Sequence, residues 1–405
     1  MKLTIIAMTM PYPPTDGGRI DVWRRIKGLS DLGVKIQLIC WDHEQPSQEN
    51  LAVIEKYVES FYLIKYQNTP KFLLRRAIDL ISYPLEVTSR FVRGKDWIDL
   101  FDTVRTFEPD VILSDHVHCG LVVSQLSHLL EVPMIVRSHD IEHLHYRYYF
   151  KCAKGFKKVL RFFSLNHLET YEKSILKQSL AFYDISKDDL QFWKEQGIDN
   201  GYFLPPIIEF PKFDASESTN EKDGSISTES IYDVVFLGNL NADNNVAGVT
   251  WFITDVIPRL QKSKPNIKIL ISGSNPVQSI NYLCEQTDGV TLKANPISST
   301  KVYKSGRVLV DPVSLGSGVS IKSIDMLAMG QPIVSTPKGV RGLPDEVKCY
   351  FRVAENPQSF ADEILNLLDS NSYEKPDKEL LSHFFGERAL QNFIFHLNTV
   401  ISSNK

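Results

Sequence analysis

The sequence contains few cysteines, and no two of them are spaced as a recognisable site. Five cysteines are spread over 405 residues, and none belongs to a Cys-x-x-Cys pair. The pattern therefore argues against both a disulfide framework and a cysteine-based metal site. A reducing cytoplasm is the expected location.

Long apolar runs and an excess of basic charge are also missing. The apolar run after Lys2 soon meets Pro11, Pro13 and Pro14, so it is too short and too interrupted for a signal peptide or a membrane span. The formal net charge is −4. General nucleic-acid binders rely on clustered Lys and Arg to neutralise phosphates, so this class of protein is disfavoured.

No predicted strand is followed by Gly-x-Gly-x-x-Gly, the phosphate-binding loop of nicotinamide-dependent dehydrogenases. Gly316 and Gly318 come nearest, but Ile321 stands where the third glycine is needed. A dehydrogenase is therefore disfavoured.

What the sequence does contain is an alternation of strands and helices that starts twice. The first alternation predicts a Rossmann-like domain over residues 1–206 and the second predicts another over residues 207–380. Between them, residues 213–230 are rich in Ser, Glu and Thr, as in a surface loop. An amphipathic segment closes the chain, and residues 381–405 are expected to form a C-terminal helix.

The most informative stretch runs from Arg307 to Leu343. It predicts a buried strand at 308–310, a glycine loop at 316–318, and a helix that Gly330 ends. A helix start rich in Gly and Ser presents free backbone N–H groups to an anion, and Lys322 adds a charge suited to phosphate. Asp325 lies about one turn further along the helix. An ordinary strand–helix crossover, with Lys322 and Asp325 as a solvated pair, explains the same residues.

This stretch resembles the nucleotide-binding motif of retaining glycosyltransferases of family 4, which have the GT-B fold. The resemblance rests on the glycine loop, Lys322, Asp325, the Ala-Met-Gly sequence at 328–330 and the Pro-Ile-Val-Ser-Thr sequence at 332–336. It implies an α/β protein of two Rossmann-like domains that face each other across a cleft, with the C-terminal helix at 381–405 packing back on the first domain. It also implies that Ser317, Gly318 and Val319 hold the donor diphosphate and that Asp325 holds the ribose hydroxyls.

The chain departs from the family pattern at two positions. Ser317 occupies a position where many members carry glutamate, and Asn239, after Gly238 in the donor-binding set, occupies one where arginine is common.

The first domain carries polar residues after three predicted strands. Gly17 and Gly18 open a helix after the first strand and resemble the acceptor-side loop of the family. Asp115 and His118 follow another strand, and His139 follows the next. Ligands of open α/β sheets bind at the carboxyl ends of strands, so these residues are candidates for substrate contacts. His139 is the first candidate for the donor sugar, because the family places a histidine there. The His-x-His spacing is also compatible with a metal site, and some of these histidines could simply cap helices.

A basic and aromatic segment follows at residues 150–163. Five basic side chains lie between Lys151 and Arg161 with no acidic residue among them. This composition suits peripheral contact with an anionic membrane, and equally suits a solvated helix.

Together, the motif and the resemblance predict a retaining glycosyltransferase of the hexosyltransferase type. The donor would be a nucleotide diphosphate sugar, and the acceptor a glycan or lipid-linked molecule of polysaccharide or glycolipid synthesis. His139, Lys322 and Asp325 are the expected catalytic residues. No metal or further cofactor is expected, because oriented N–H groups and a lysine can stabilise the departing diphosphate. The location would be cytoplasmic, with peripheral attachment at the inner face of the membrane. The rival interpretations are a nucleotide-sugar epimerase of the same architecture and a non-catalytic scaffold.

Overall fold

The structure is a computed structural model, and it describes residues 1–67, 69–209, 231–314, 318–370 and 373–403. The chain forms two compact units. The first contains residues 1–207 together with 387–405, and the second contains residues 208–386. Each is described separately below.

The first unit is built on a parallel sheet of seven strands. These are β1 (Lys2–Ala7), β2 (Lys35–Asp42), β3 (Ser60–Lys65), β4 (Val111–Asp115), β5 (Met134–Ser138), β6 (Ala181–Asp184) and β7 (Gly201–Phe203). Their spatial order is β3-β2-β1-β4-β5-β6-β7. Their central members are continuous apolar runs because helices cover both faces. The helices are α1 (Gly17–Asp31), α2 (Gln48–Ile54), α3 (Pro70–Asp79), α4 (Leu85–Thr88), α5 (Lys95–Phe107), α6 (Gly120–Leu130), α7 (Glu142–Cys152), α8 (Gly155–Leu165), α9 (Leu168–Gln178) and α10 (Lys187–Glu195).

The second unit repeats this architecture with six parallel strands. These are β8 (Tyr232–Asn239), β9 (Ile269–Ser274), β10 (Val290–Ala294), β11 (Gly306–Asp311), β12 (Ile333–Ser335) and β13 (Phe351–Val353), in the order β10-β9-β8-β11-β12-β13. Its helices are α11 (Asp243–Trp251), α12 (Ile257–Ser263), α13 (Gln278–Glu285), α14 (Ser299–Lys304), α15 (Ile321–Met329), α16 (Asp345–Lys348), α17 (Pro357–Asp369) and α18 (Lys378–Phe385).

The strand order reverses at one point in each sheet. In the first unit the reversal lies between β1 and β4, and in the second between β8 and β11. Ligands of open α/β sheets bind beyond the carboxyl ends of the strands at such a point. The fold therefore brings the loops after β1 and β4 together in one unit, and those after β8 and β11 together in the other.

The chain returns to the first unit later than the predicted boundary at residue 380. Leu381 and Phe385 of α18 are buried in the core of the second unit. The last helix, α19 (Glu387–Ser403), belongs to the first unit, where Leu390 packs against Gly28 of α1. A Cβ at Gly28 would lie 2.3 Å from Leu390 Cδ1, so the glycine permits the close approach.

Three local features differ from the sequence-based expectation. The periodicity of residues 41–108 predicts helices, but strand β3 lies inside this segment. The sequence around Asn166, Tyr171 and Ile175 predicts one long helix, but the chain breaks at His167, whose φ is 59°, so α8 and α9 are separate. The sequence predicts a continuous helix from near Asn244 through Trp251 and Leu260, but the structure has a π-helical stretch at Phe252–Val256, just before Pro258. Proline has no N–H for the regular helix ladder and clashes with the carbonyl four residues earlier, so the turn widens there.

No helix in the described part of the chain combines the length and the apolar character that crossing a bilayer requires.

Candidate active site

In the second unit, a buried ion pair joins the end of β11 to the first turn of α15. Lys322 Nζ lies 2.8 Å from Asp311 Oδ1 and 2.8 Å from Asn245 Oδ1. Its ammonium also lies 5.0 Å from the ring centroid of Phe236, within cation–π range. An ammonium has three donors, so these two bonds leave one N–H for a ligand. The Lys322 side chain is 16% exposed, which allows such contact.

Asp311 is the fixed centre of this arrangement. It is fully buried, and it also accepts hydrogen bonds from Ser320 Oγ at 2.7 Å and Ser323 Oγ at 2.9 Å. Burial by itself would raise the pKa of Asp311, but the Lys322 ammonium and the two hydroxyls hold this pKa below its usual value. The carboxylate therefore stays charged and sets the position of Lys322.

The predicted donor-binding residues of β8 lie around the same lysine. The Asn239 carbonyl accepts a 2.9 Å hydrogen bond from Asn245 Nδ2, whose side-chain oxygen contacts Lys322. The Asn239 side chain accepts from the Asn241 N–H at 3.0 Å. A Cβ at Gly238 would lie 3.3 Å from Asn245 Nδ2, so a glycine leaves room for this amide. The structure thus connects Gly238, Asn239 and Lys322 through Asn245.

The glycine loop ends just before α15. Gly318 has φ 71°, which favours glycine, and Ser320 caps the helix by accepting from the Ser323 N–H. Gly318 and Val319 therefore lie in the loop before the helix, and Ser317 lies outside the described residues. Asp325 is partly buried on α15, one turn beyond Lys322. Gly330 ends the helix in the left-handed conformation, as predicted.

In the first unit, a buried charge network connects α1 to the ends of β4 and β5. Arg25 donates to Asp21 Oδ2 at 2.8 Å and to Asp115 Oδ2 at 2.6 Å. Arg137 lies 3.3 Å from Asp21 and donates to the backbone carbonyl of Leu204. Two carboxylates and two guanidiniums sum to zero charge, which makes their burial tolerable.

His139, the expected donor-sugar contact, is bound into this network. Its Nε2 lies 2.7 Å from Asp115 Oδ1 and its Nδ1 lies 3.9 Å from Asp21. Burial, with the neighbouring His116, lowers the pKa of His139 to about 4, although Asp115 opposes the shift. His139 is therefore neutral at pH 7, with its edge turned towards carboxylates and one ring face stacked on His116 at 4.1 Å.

The other predicted residues of the first unit lie nearby. Asp115 belongs to the network just described, and His118 is buried two residues beyond His116. Gly17 and Gly18 form the start of α1, one turn before Asp21, behind the capping residue Asp16. The switch point of this sheet therefore gathers all the candidates that we placed in the first domain.

Four buried charged residues of the two arrangements were not predicted as site residues: Asp21, Arg25, Arg137 and Asp311. A signal existed for Asp21 and Arg25, because they are four residues apart on a helix whose flanking positions are apolar. Asp311 ends a buried strand, as Asp115 does, and the same rule would have identified it.

Comparison with known proteins finds a family similarity in the second unit. Residues 232–370 match the protein-family model "Glycosyl transferases group 1". The match lies within the second unit. A relative from Klebsiella pneumoniae, an uncharacterized 44.6 kDa protein in the cps region, is 25% identical over 378 residues, which is 90% of each chain.

Several solved structures share the fold at low sequence identity. Anabaena HepE in complex with UDP is 11% identical with a TM-score of 0.65, over 98% of this chain and 100% of that one. Sucrose-phosphate synthase from Thermosynechococcus elongatus is 13% identical with a TM-score of 0.63, over 100% of both chains. A point mutant of S. aureus TarM, in complex with Fondaparinux, alpha-GlcNAc-glycerol and UDP, is 11% identical with a TM-score of 0.61, over 99% of this chain and 98% of that one. The predicted fold class, α/β with two Rossmann-like domains of GT-B type, is confirmed.

Proposed function

We propose that this chain is a retaining glycosyltransferase that moves a sugar from a nucleotide diphosphate sugar to a glycan or lipid-linked acceptor. The observation that carries this proposal is the domain match over residues 232–370, which includes Asn245, Asp311 and Lys322. These residues form a fixed cation at the switch point, where a diphosphate would bind. Because HepE and TarM have been solved with UDP, uridine is the first base to test.

In this proposal Lys322 and the N–H groups near the start of α15 stabilise the charge that develops on the departing diphosphate. No metal is assigned to that step. A double displacement would need a carboxylate at the sugar, and this proposal assigns no residue to that role. The acceptor would therefore attack on the face that the diphosphate leaves, with the leaving phosphate taking its proton.

The test is a screen of UDP, GDP and ADP sugars. A thermal-shift or calorimetric measurement finds the nucleotide, since a ligand at a hundred times its Kd stabilises the fold by about 2.7 kcal/mol. The matching sugar nucleotide is then incubated with glycan and lipid-linked acceptors, and the products are separated. A glycosylated acceptor with retained anomeric configuration is expected. An isomerised donor would support the interpretation as a nucleotide-sugar epimerase. If the protein binds none of the nucleotides, the interpretation as a non-catalytic scaffold is supported.

Asp325 is proposed to accept hydrogen bonds from the ribose hydroxyls of the donor. Replacing it with alanine should weaken donor binding by about 1.5–3 kcal/mol for each charge-assisted bond lost, while the melting temperature stays near the wild-type value. Isothermal titration with the nucleotide measures this loss. Asp362→Ala, on the exposed face of α17, is the matched control and should bind as the wild type does. Equal affinities for the two variants would remove Asp325 from the site.

Peripheral membrane contact is a further part of the proposal, because basic and apolar side chains are exposed together on the first unit. On α8, Phe156 is 74% exposed beside the exposed Lys157 and Lys158. Helix α3 has no buried residue, and its Leu74 is 68% exposed. The two helices meet at their C-terminal ends, where Asn166 Nδ2 donates to the Leu80 carbonyl at 3.4 Å. An anionic bilayer suits such a surface, since lysines attract headgroups and apolar side chains insert.

Vesicle sedimentation tests this contact. The protein should pellet with anionic vesicles and not with neutral ones, because each basic residue contributes about 1 kcal/mol near an anionic surface. Replacing Lys151, Lys154, Lys157 and Lys158 with Gln should abolish pelleting and leave nucleotide binding intact. The control replaces four exposed lysines elsewhere in the unit, Lys56, Lys65, Lys177 and Lys194. If the control substitutions reduce pelleting as much as those at residues 151–158, the attraction is a general effect of charge. If the wild type stays in the supernatant at low salt, a soluble acceptor is favoured.

A further inference from the structure

A second cluster of possible ligands lies beside the charge network of the first unit. His116 follows β4, His118 lies in a short 3-10 turn at Val117–Cys119, and Glu142 begins α7. One ligand atom from each of these three residues lies within 4.8 Å of the other two. Neither the proposed transfer reaction nor the charge network uses this group.

His118 is the first reason to assign a ligand here. Its side chain is 2% exposed, and neither ring nitrogen has a hydrogen-bond partner among the described residues. A buried polar group without a partner is costly and calls for an explanation, such as an ion that it binds.

The backbone of His116 is the second reason. Its φ is 88° and its ψ is 143°, a region that residues with a Cβ rarely occupy. The strained peptide is held on both sides: the His116 N–H donates to the Arg137 carbonyl at 3.2 Å, and the His116 carbonyl accepts from Ser114 Oγ at 2.8 Å. Strain of this kind is concentrated at functional sites. It directs the His116 ring over His139 and towards Glu142.

The distances fit a small ion with nitrogen and oxygen ligands. Glu142 Oε1 lies 3.1 Å from His116 Nδ1, close to the spacing of two ligands on one tetrahedral ion with bonds of about 2.0–2.2 Å. The same oxygen lies 3.9 Å from His118 Nδ1, so a small rotation brings the third ligand into place.

We propose that His116, His118 and Glu142 bind one divalent transition-metal ion. Two imidazoles and one carboxylate favour Zn²⁺ over Mg²⁺ or Ca²⁺, which prefer oxygen ligands. Three protein ligands leave a further coordination position open to water or to an oxygen of a bound molecule. The His116 side chain is 25% exposed and provides the route of entry. This site departs from the sequence-based expectation, which ranked sugar contacts above a metal.

The proposal does not depend on glycosyl transfer, because its readout is the ion itself. Untagged protein is stripped with EDTA, dialysed against Zn²⁺, and its bound metal is measured by mass spectrometry. Wild type should bind one equivalent, and Co²⁺ in its place should give visible absorption bands. Zn²⁺ should also raise the melting temperature, and EDTA should reverse the rise.

The variants are His118→Leu and Glu142→Gln, with His128→Leu as the control. Loss of a ligand should weaken the affinity more than about 100-fold, since loss of an outer-shell partner alone costs about 10–100-fold. His128 is exposed on α6 of the same unit, and its variant should bind as wild type does. His118→Leu should remain folded, because an apolar side chain replaces an unpartnered polar one in a buried place. Circular dichroism checks this, and His116→Ala replaces any variant that fails to fold.

The proposal is overturned if wild type binds no Zn²⁺ above the level of the ligand variants. It is also overturned if the folded variants bind one equivalent as tightly as His128→Leu does. In either case the contact between His116 and Glu142 would be an ordinary ion pair. A protein that binds Zn²⁺ but transfers no sugar would leave the metal site standing and remove only the proposed function.

Discussion

Replacing Lys322 with methionine should lower both the stability of the second unit and the turnover of the donor. The variant leaves the Asp311 carboxylate buried without its cation, and the loss of one partner of a buried ion pair costs about 3–5 kcal/mol. Turnover should fall by about 10²–10³-fold, the usual effect of removing one group that stabilises charge in the transition state. Donor affinity should change less, because the charge on the diphosphate grows as the bond to the sugar breaks.

A second substitution separates these two effects. In the double variant Lys322→Met with Asp311→Asn, no buried charge is left unpaired, so the free energy of unfolding should recover towards the wild-type value. Turnover should stay low, because the cation is still missing. Chemical denaturation gives the first quantity, and release of nucleoside diphosphate from the selected donor gives the second. If turnover recovers together with stability, Lys322 only neutralises Asp311 and does not act on the diphosphate.

The sequence predicts the scaffold of this protein well because the relevant signals are local. The strand beginning at Leu3 and the helix that Gly330 ends both lie where apolar spacing and a glycine stop placed them. The sequence does not reveal strand β3. The run at residues 61–64 is apolar and aromatic, but the residues around it have helical periodicity, which hides the strand. The sequence places the return of the chain to the first unit after residue 380, whereas the structure places it at Glu387. An amphipathic pattern does not reveal which of the two cores a helix packs against.

The candidate site was predicted only in part, for a different reason. Sequence spacing indicates that Lys322 lies one turn after a glycine loop, but not that its ammonium is already held by Asp311 and Asn245. In the same way, His139 was identified by its place after a strand, whereas its contact with Asp115 depends on how two strands are paired. Partners far apart in sequence are set by sheet order, and a spacing rule does not contain that information.

Replacing Asp115 with asparagine should cause a large loss of stability in the first unit. Asp115 is 1% exposed and joins Arg25 at 2.6 Å to His139 at 2.7 Å, so its neutralisation leaves the buried network with one excess positive charge. The expected loss in the free energy of unfolding is about 3–5 kcal/mol at pH 7. Asp102→Asn is the matched control, since Asp102 forms an exposed pair with Arg105 and should change stability by about 1 kcal/mol or less.

The pH dependence of this loss identifies the charge as its cause. Burial alone would raise the pKa of Asp115, but the Arg25 guanidinium and His139 hold this pKa far below its usual value. Such a group stabilises the fold fully above the pKa of an unfolded aspartate, about 3.9, and loses this contribution as the pH falls towards its folded pKa. Urea denaturation from pH 7 to pH 3 should therefore show a constant difference between wild type and Asp115→Asn above about pH 5, and a shrinking difference below it. A difference that is independent of pH over this range would mean that the asparagine disturbs packing, and that the charge of Asp115 contributes little to holding His139 and Arg25 in place.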